Sequence, residues 1–263
     1  MGLWCKDYPV VTVERSIVPK SVTLIVPYYE SPQFLATQIA HWESFPSRIA
    51  RSLTVIVVDD GSTQHPAAEV FRGLPHLELF PRLDAIAWRL FQIEEDRPWN
   101  WLAARNIGAH HTLSGWLLMT DMDHVVPPET IEACIYCVHR TDTIYGFSRV
   151  EHTGKPAQPH ANSFLLTKAM YWAWGGYDEA LSGYYGTNGD AYRRMAAVAK
   201  MAILTDPLIR HEFVGDSSTT QFARKLPSDA AAVKTIVKAR GEGWRPKVLS
   251  FPYHEVTRQE AVA

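Results

Sequence analysis

Apolar residues along the chain alternate between short unbroken runs and longer stretches with helical spacing. Val22 to Val26 ("VTLIV") reads as a strand that ends at Pro27, and Leu53 to Val58 ("LTVIVV") is an unalternating β-branched run. Such a run is the mark of a strand covered on both faces. Between them, from about Pro32 to Trp42, Phe34, Leu35, Gln38, Ile39 and Trp42 give a partly amphipathic helical face. Further along the spacing predicts a helix over Pro66 to Phe71, a short strand near "LELF" and a strand in "AIAWRLFQI". A helix in "NWLAARNIGAHHTL" and a strand in "GWLLMT" follow. Strand and helix alternate with short connections over about 120 residues, which predicts an open α/β sheet, mostly parallel and flanked by helices.

Beyond Pro128 the pattern changes. "PPETIEACIYCVH" reads as a helix opened by Pro127 and Pro128 with Glu129 in its first turn. Two strand-like stretches, "TIYGFSRV" and "NSFLLT", flank "EHTGKPAQPHA", a loop expected to be exposed. A Gly- and Tyr-rich loop, "GGYDEALSGYYGTNGD", leads into a helix at "AYRRMAAVAK". A last helix is expected from Ser228, as its N-cap, to Arg240, closed by Gly241. No linker is evident, so a single domain over 1–263 is expected, with halves at about 20–126 and 127–223 and a basic helix and tail over 224–263.

Open parallel sheets bind ligands beyond the carboxyl ends of their strands. Three polar clusters fall at such ends: "PYYES", "DDGS" and "TDMDH". Neither a Walker A loop nor a GxGxxG turn occurs, which argues against P-loop kinases and dinucleotide-binding oxidoreductases. Composition narrows this little. Of the 263 residues, 46% are hydrophobic and 21% charged, as in ordinary globular chains. A net charge of -2 does not suggest a general nucleic-acid binder. Nine Trp and eleven Tyr are many for this length and suit stacking on sugars or bases as well as core packing. Cys134 and Cys137 lack the partners of a zinc site, so buried reduced thiols and a reducing, cytoplasmic compartment are expected. The first sixteen residues carry Lys6, Asp7, Glu14 and Arg15 and read as neither signal peptide nor membrane anchor.

The ordered blocks "VTLIVPYYE", "VIVVDDGST", "AARNIGA", "LLMTDMDH" and "MYWAWGGYDEALSGYYG" resemble the GT-A fold glycosyltransferases, notably the family 2 group, over about residues 20 to 215. "WNWLAARNIG" and "LIRH" are also similar to the β-1,4-galactosyltransferases and the polypeptide N-acetylgalactosaminyltransferases. The resemblance implies a Rossmann-like GT-A domain that moves one sugar from a nucleotide sugar, UDP-linked, to an acceptor hydroxyl. It also implies a divalent cation, Mn²⁺ or Mg²⁺. A hard cation held by carboxylate and phosphate oxygens neutralises the departing diphosphate without proton chemistry. Alternation along an extended Asp-x-Asp segment points Asp121 and Asp123 the same way and turns His124 aside. By resemblance Asp123 is the metal ligand, Asp121 the nucleotide contact and His211 a second metal ligand from far along the chain. Asp60 corresponds to the family's uracil-binding Asp, while Asp59 and Gly61 shape the turn. Pro27, Tyr28 and Glu30 end the first strand where base and ribose are expected. Arg105 is a candidate for the base or diphosphate, Asn100 and Asn106 for fixing the backbone, and Tyr184 for the sugar–acceptor junction.

The general base is open. Related inverting enzymes carry Glu-Asp where this chain has Thr187-Asn188, and an Asn amide cannot accept the acceptor's proton at neutral pH. Asp190, Asp178 or another carboxylate, or a retaining reaction without such a base, are the alternatives. Arg224, Lys225, Lys234, Lys238, Arg240, Arg245 and Lys247 against Asp229 and Glu242 give 224–247 a net charge of +5. That is either a solvated helical face or a patch for a phosphate-bearing acceptor such as a lipid phosphate, a cell-wall polymer or modified DNA. No "QxxRW"-type element of processive synthases is present, which favours single-sugar addition. Competing readings are a catalytically impaired nucleotide-sugar-binding protein and, less favoured, a nucleotidyltransferase, for which "PYYESPQ" lacks a Gly-rich basic loop.

Overall fold

The computed structural model describes residues 8–73, 86–113, 115–210 and 229–256. Its centre is a parallel quartet of strands: β2 (Val22–Tyr28) lies between β5 (Trp116–Met119) and β3 (Leu53–Asp59), and β3 pairs with β4 (Ala87–Ile93). The register places Tyr28 beside Asp59 and Asp59 beside Gln92, so the carboxyl ends of these strands meet along one edge. Beyond β5 the sheet continues through β8 (Phe164–Thr167), β6 (Thr143–Val150), β9 (Lys200–Arg210) and β1 (Val10–Val11). β8 runs antiparallel to both its neighbours, whereas β6, β9 and β1 are parallel to one another. A two-residue β7 (Pro156–Ala157) folds back on β6.

The unalternating strand runs are buried because the sheet is covered twice. Leu24, Val26, Val55 and Val57 pack against Leu35, Ile39 and Trp42 of α1 (Pro32–Glu43), Ile49 of α2 (Ser47–Ala50), Phe71 of α3 (Ala67–Arg72) and Ile131 of α5 (Pro128–Tyr136). The alternate residues Ile25, Ile56 and Val58 face Leu102, Ala103 and Ile107 of α4 (Trp101–His111). α6 (Lys168–Ala173), α7 (Asn188–Val198) and α8 (Asp229–Lys238) lie on that same side, contributing Tyr171, Met195 and Val233. The expected mixed α/β architecture, with a mostly parallel central sheet flanked by helices, is the one observed.

Several boundaries differ from the pattern-based expectation. α7 begins at Asn188, three residues early, which puts Asn188 and Asp190 in its first turn. The chain after α8 is more than a tail: β10 (Tyr253–Val256) returns antiparallel to β4, with Tyr253 opposite Ile93. Four residues as polar as "YHEV" carry no periodic signal, and their partner strand supplies the order. "LELF", Ser228 and His211 lie outside the described residues. Among the described residues no helix is long and apolar enough to cross a membrane.

α4 reaches β2 closely at Gly108, where an added Cβ would lie 2.4 Å from Cγ2 of Ile25. Ile25 is fully buried and β-branched, so it has little freedom to yield. Gly108→Ala should therefore destabilise the fold. Overpacking costs about 1–3 kcal/mol, against a gain of roughly 1 kcal/mol from helix propensity. The expected result is a lower urea midpoint with an unchanged slope, and a larger fall for Gly108→Val.

Candidate active site

The carboxyl edge of the quartet opens into a cleft of about 140 Å³ lined by Pro27, Tyr28, Asp60, Trp99, Asp121 and Asp123, among others. They come from four strand ends, β2, β3, β4 and β5, or from the loops beyond them. Pro27 and Tyr28 finish β2, and the Tyr28 hydroxyl donates to the carbonyl of His65 at 2.5 Å. Asp60 follows β3 and is buried, with its amide bonded to the carbonyl of Tyr28 at 2.8 Å.

The loop after β3 is shaped by two other carboxylates. Asp59 accepts from the amides of Ser62 (2.8 Å) and Ala67 (2.7 Å), holding both ends of the turn. Burial pushes its carboxyl up to about 6 despite those bonds. Glu30 accepts from three successive amides, Thr63 (2.6 Å), Gln64 (2.9 Å) and His65 (2.7 Å). Asp59 thus shapes the turn, and Glu30, expected at base and ribose, also frames the loop; neither lines the cleft. Gly61 is required between them: its φ is +74°, and a Cβ there would meet the carbonyl of Glu95 at 2.6 Å.

The Asp-x-Asp segment is a tight turn, closed by a 3.1 Å bond from the His124 amide to the Asp121 carbonyl, not an extended stretch. Alternation therefore does not govern it, and His124 is not turned aside. Its Nδ1 lies 2.7 Å from Oδ1 of Asp123. The turn is held from α1 by Gln38, which is buried and donates to the carbonyls of Met122 and His124, both at 2.9 Å. His41 adds a 3.0 Å contact to the Val126 carbonyl. The polar member of the α1 apolar face is what fixes the turn.

Arg105 projects from α4 behind Asp121. It is fully buried, pairs with Oδ1 of Asp121 and donates to the carbonyls of Asn162 (2.9 Å) and Thr120 (3.3 Å). Trp101 and Tyr177 flank its guanidinium at 5.1 and 5.8 Å. The expectation that Arg105 reaches base or diphosphate is corrected: a side chain sealed behind a carboxylate acts through that carboxylate. Asn162 donates to Oδ2 of Asp121 at 2.7 Å, and Nε2 of His160 lies 3.5 Å from the same oxygen. Burial opposes ionisation of Asp121, but Arg105, with His160 and Asn162, outweighs it and holds the carboxyl below its ordinary range. Burial, with His124 beside it, pushes His160 down to about 3, so its imidazole is neutral. His160 and Asn162 were hidden because "EHTGKPAQPHA" has the composition of an exposed loop. The His and Asn around its end were the only hint.

Asp178 and Asp190 do not reach the cleft, which corrects their candidacy as base. Arg240, at the end of α8, inserts between them, with 2.6 Å to Oδ2 of Asp178 and 2.5 Å to Oδ1 of Asp190. Arg194 holds the other oxygen of Asp190 at 3.1 Å, and Trp244 lies 3.6 Å from the Arg240 guanidinium. Both carboxylates are nearly fully buried. Arg240 is therefore structural and leaves the basic patch, whereas Lys234 and Lys238 are exposed. Asn106 donates to the Tyr177 carbonyl and to Glu179 and accepts from the Tyr171 hydroxyl, and Asn100 accepts from the Ser182 hydroxyl. Tyr184 is half-buried against the α4-side core, and its neighbour Tyr185 meets Trp99 edge-on at 5.3 Å. Trp99 adopts a φ of 55°, a strained value for a bulky residue in a ligand cleft.

Among the described residues no three His, Cys, Asp or Glu side chains are grouped to cage a metal. The donor set at the cleft suits a different arrangement. One or two carboxylates with substrate phosphates and water are what Mg²⁺-like ions use. The three acidic side chains Asp60, Asp121 and Asp123 of the cleft would also repel a bare diphosphate.

The sequence model described as "Glycosyl transferase family 2" matches residues 23–204. No curated protein matches the chain. Among solved structures, the mannosyltransferase PcManGT from Pyrobaculum calidifontis, in complex with GDP-Man and Mn²⁺, is similar at 18% identity and a TM-score of 0.58, covering 82% of this chain and 63% of that one. S. aureus TarS 1-349 with UDP-GlcNAc is similar at 16% identity and a TM-score of 0.58, covering 82% and 65%. GalNAc-T7 with UDP, GalNAc and Mn²⁺ is similar at 12% identity and a TM-score of 0.53, covering 78% and 47%. The chain spans less than two thirds of the length of each, and at these identities the likeness shows the fold.

Arg105→Met leaves the part-buried Asp121 carboxylate without its main counter-charge, a change whose upper limit is the roughly 3–5 kcal/mol of breaking a fully buried pair. Because Asp121 is held below its ordinary range, its stabilising effect is present above that range and is lost as pH falls through its lowered value. In the variant that stabilisation is absent, and burial, no longer opposed by Arg105, favours the protonated carboxyl. Urea unfolding should show a large deficit at pH 7 that shrinks towards pH 4, where the lone carboxylate takes up a proton.

Proposed function

The chain belongs to glycosyl transferase family 2, and on that premise we propose that it moves a single sugar from a nucleoside diphosphate sugar, UDP-linked, to an acceptor hydroxyl with the aid of Mn²⁺ or Mg²⁺. The observation that carries this reading is the Asp121–Asp123 turn at the carboxyl end of β5, facing Tyr28, Asp60 and two Trp side chains across one cleft. The aromatic walls suit the flat faces of a base and a sugar. Asp60 is positioned to accept from a base N–H, as a uracil offers. The two similar structures that hold UDP or UDP-GlcNAc favour uridine, whereas the GDP-Man complex keeps guanosine as the rival donor.

Asp123 would hold the cation together with diphosphate oxygens, and His211, by resemblance, would complete the set. When bound, that cation supplies neutralisation of the negative charge that grows on the departing diphosphate. The chain's own residues do the rest. Arg105 and Asn162 keep Asp121 ionised and in one orientation towards the nucleotide. Gln38 holds the turn, and Asp59 and Glu30 keep Asp60 at the base end. Trp99 and Trp101 line the cleft, and Tyr185 packs edge-on against Trp99 at 5.3 Å. The exposed Lys234 and Lys238 of α8 are consistent with a phosphate-bearing acceptor, and the buried cysteines Cys134 and Cys137 with a reducing, cytoplasmic setting.

Incubation with a panel of UDP- and GDP-sugars and Mn²⁺ should release nucleoside diphosphate from one donor, and EDTA should stop the release. Asp123→Ala should lower turnover roughly 10²–10³-fold, the share attributable to several kcal/mol of charge stabilisation. Turnover of Asp123→Ala at the wild-type rate, or no release from any donor, would refute the reading.

A further inference from the structure

We infer that His124 is a positioning residue for Asp123, acting through an Arg149–His124–Asp123 relay that fixes the rotation of the carboxylate presented to the cleft. This rests on the donor-site reading above, in which Asp123 holds a cation. The relay has a defined direction. Arg149 lies 3.3 Å from Nε2 of His124, and a guanidinium can only donate. Nε2 must therefore accept, so the proton sits on Nδ1, which donates to Oδ1 of Asp123 at 2.7 Å. Arg149 is itself anchored by Glu151 at 2.7 Å.

The ring cannot turn away from this arrangement. His124 is 3% exposed and stacks on His160 with centroids 3.7 Å apart and planes 12° from parallel. His160 is tied to Ser163 (2.7 Å), and Ser163 to Thr120 (2.9 Å), the residue before the turn. The His124 carbonyl is held by Gln38. Backbone, ring plane and both ring nitrogens are all constrained, an arrangement that a residue packed only for its bulk does not need. A donor held in place on one carboxylate oxygen sets where the group points, and hydrogen bonds that orient a ligand in this way raise its affinity for a cation.

Asn and Gln substitutions separate positioning from packing, because an Asn amide sits near the place of Nδ1 and a Gln amide near that of Nε2. Mn²⁺ binding measured calorimetrically in saturating UDP, alongside thermal melting, should show His124→Asn within about threefold of wild type. His124→Gln and His124→Ala should bind 10–100-fold more weakly, the usual range for groups that orient a ligand. Melting points of the Asn and Gln variants should be alike. His124→Gln binding as tightly as His124→Asn, or His124→Ala binding as wild type, overturns the relay. If His124→Ala does not fold, the Asn and Gln pair still decides. A wild-type protein that takes up no Mn²⁺ with UDP overturns the metal-assisted reading, and the relay with it. Uptake by wild type matched by all variants overturns the relay alone.

Discussion

A guanidinium with no solvent access stands directly behind the cleft, and the organisation of the site follows from its need for acceptors. Ionised groups removed from water are tolerated only when paired and hydrogen-bonded. Arg105 meets that need with the Asp121 carboxylate and the carbonyls of Asn162 and Thr120, between Trp101 and Tyr177. In doing so it draws together α4, the end of β5 and the loop that carries His160 and Asn162. Moving any one of these leaves a buried charge short of a partner. The geometry of Asp121 is therefore coupled to the packing of half the molecule.

The same economy appears in the other acidic residues near the strand ends. Asp59 and Glu30 spend their oxygens on loop amides, and Glu179 accepts from Asn106 and from the Leu249 and Ser250 segment. Asp178 and Asp190 share Arg240. These five carboxylates hold irregular chain in place around a rigid sheet, and Asp60, Asp121 and Asp123 are the acidic side chains that line the cleft. A loop-built site needs such internal anchors, because loop backbone lacks the ladder of bonds that orders a strand.

Much of the fold could be read from β-branched runs and helical spacing, since both record burial on one or two faces. "LTVIVV" predicted a doubly covered strand, and Val55 and Ile56 indeed enter opposite cores. The strand ends bearing Asp60 and Asp121 were equally legible. What escaped were features whose order comes from a distant partner: β10 against β4, Gln38 under the Asp-x-Asp turn, and His160 stacked on His124. A loop rich in Pro, Gly and His looks the same whether it is solvated or folded onto a site.

Local pattern alone determined that this chain builds a parallel α/β sheet and that acidic clusters cap its strands, because periodicity and turn residues report on neighbours within a few positions. Tertiary structure decided which of those acids face the cleft and which are consumed as internal braces. It sealed Arg105 behind Asp121, gave Arg240 to Asp178 and Asp190, and bent the Asp-x-Asp segment into a turn that brings His124 to Asp123. The physical reason is that the state and direction of a charged side chain depend on partners brought from 16 to 62 residues away, and no local periodicity encodes them.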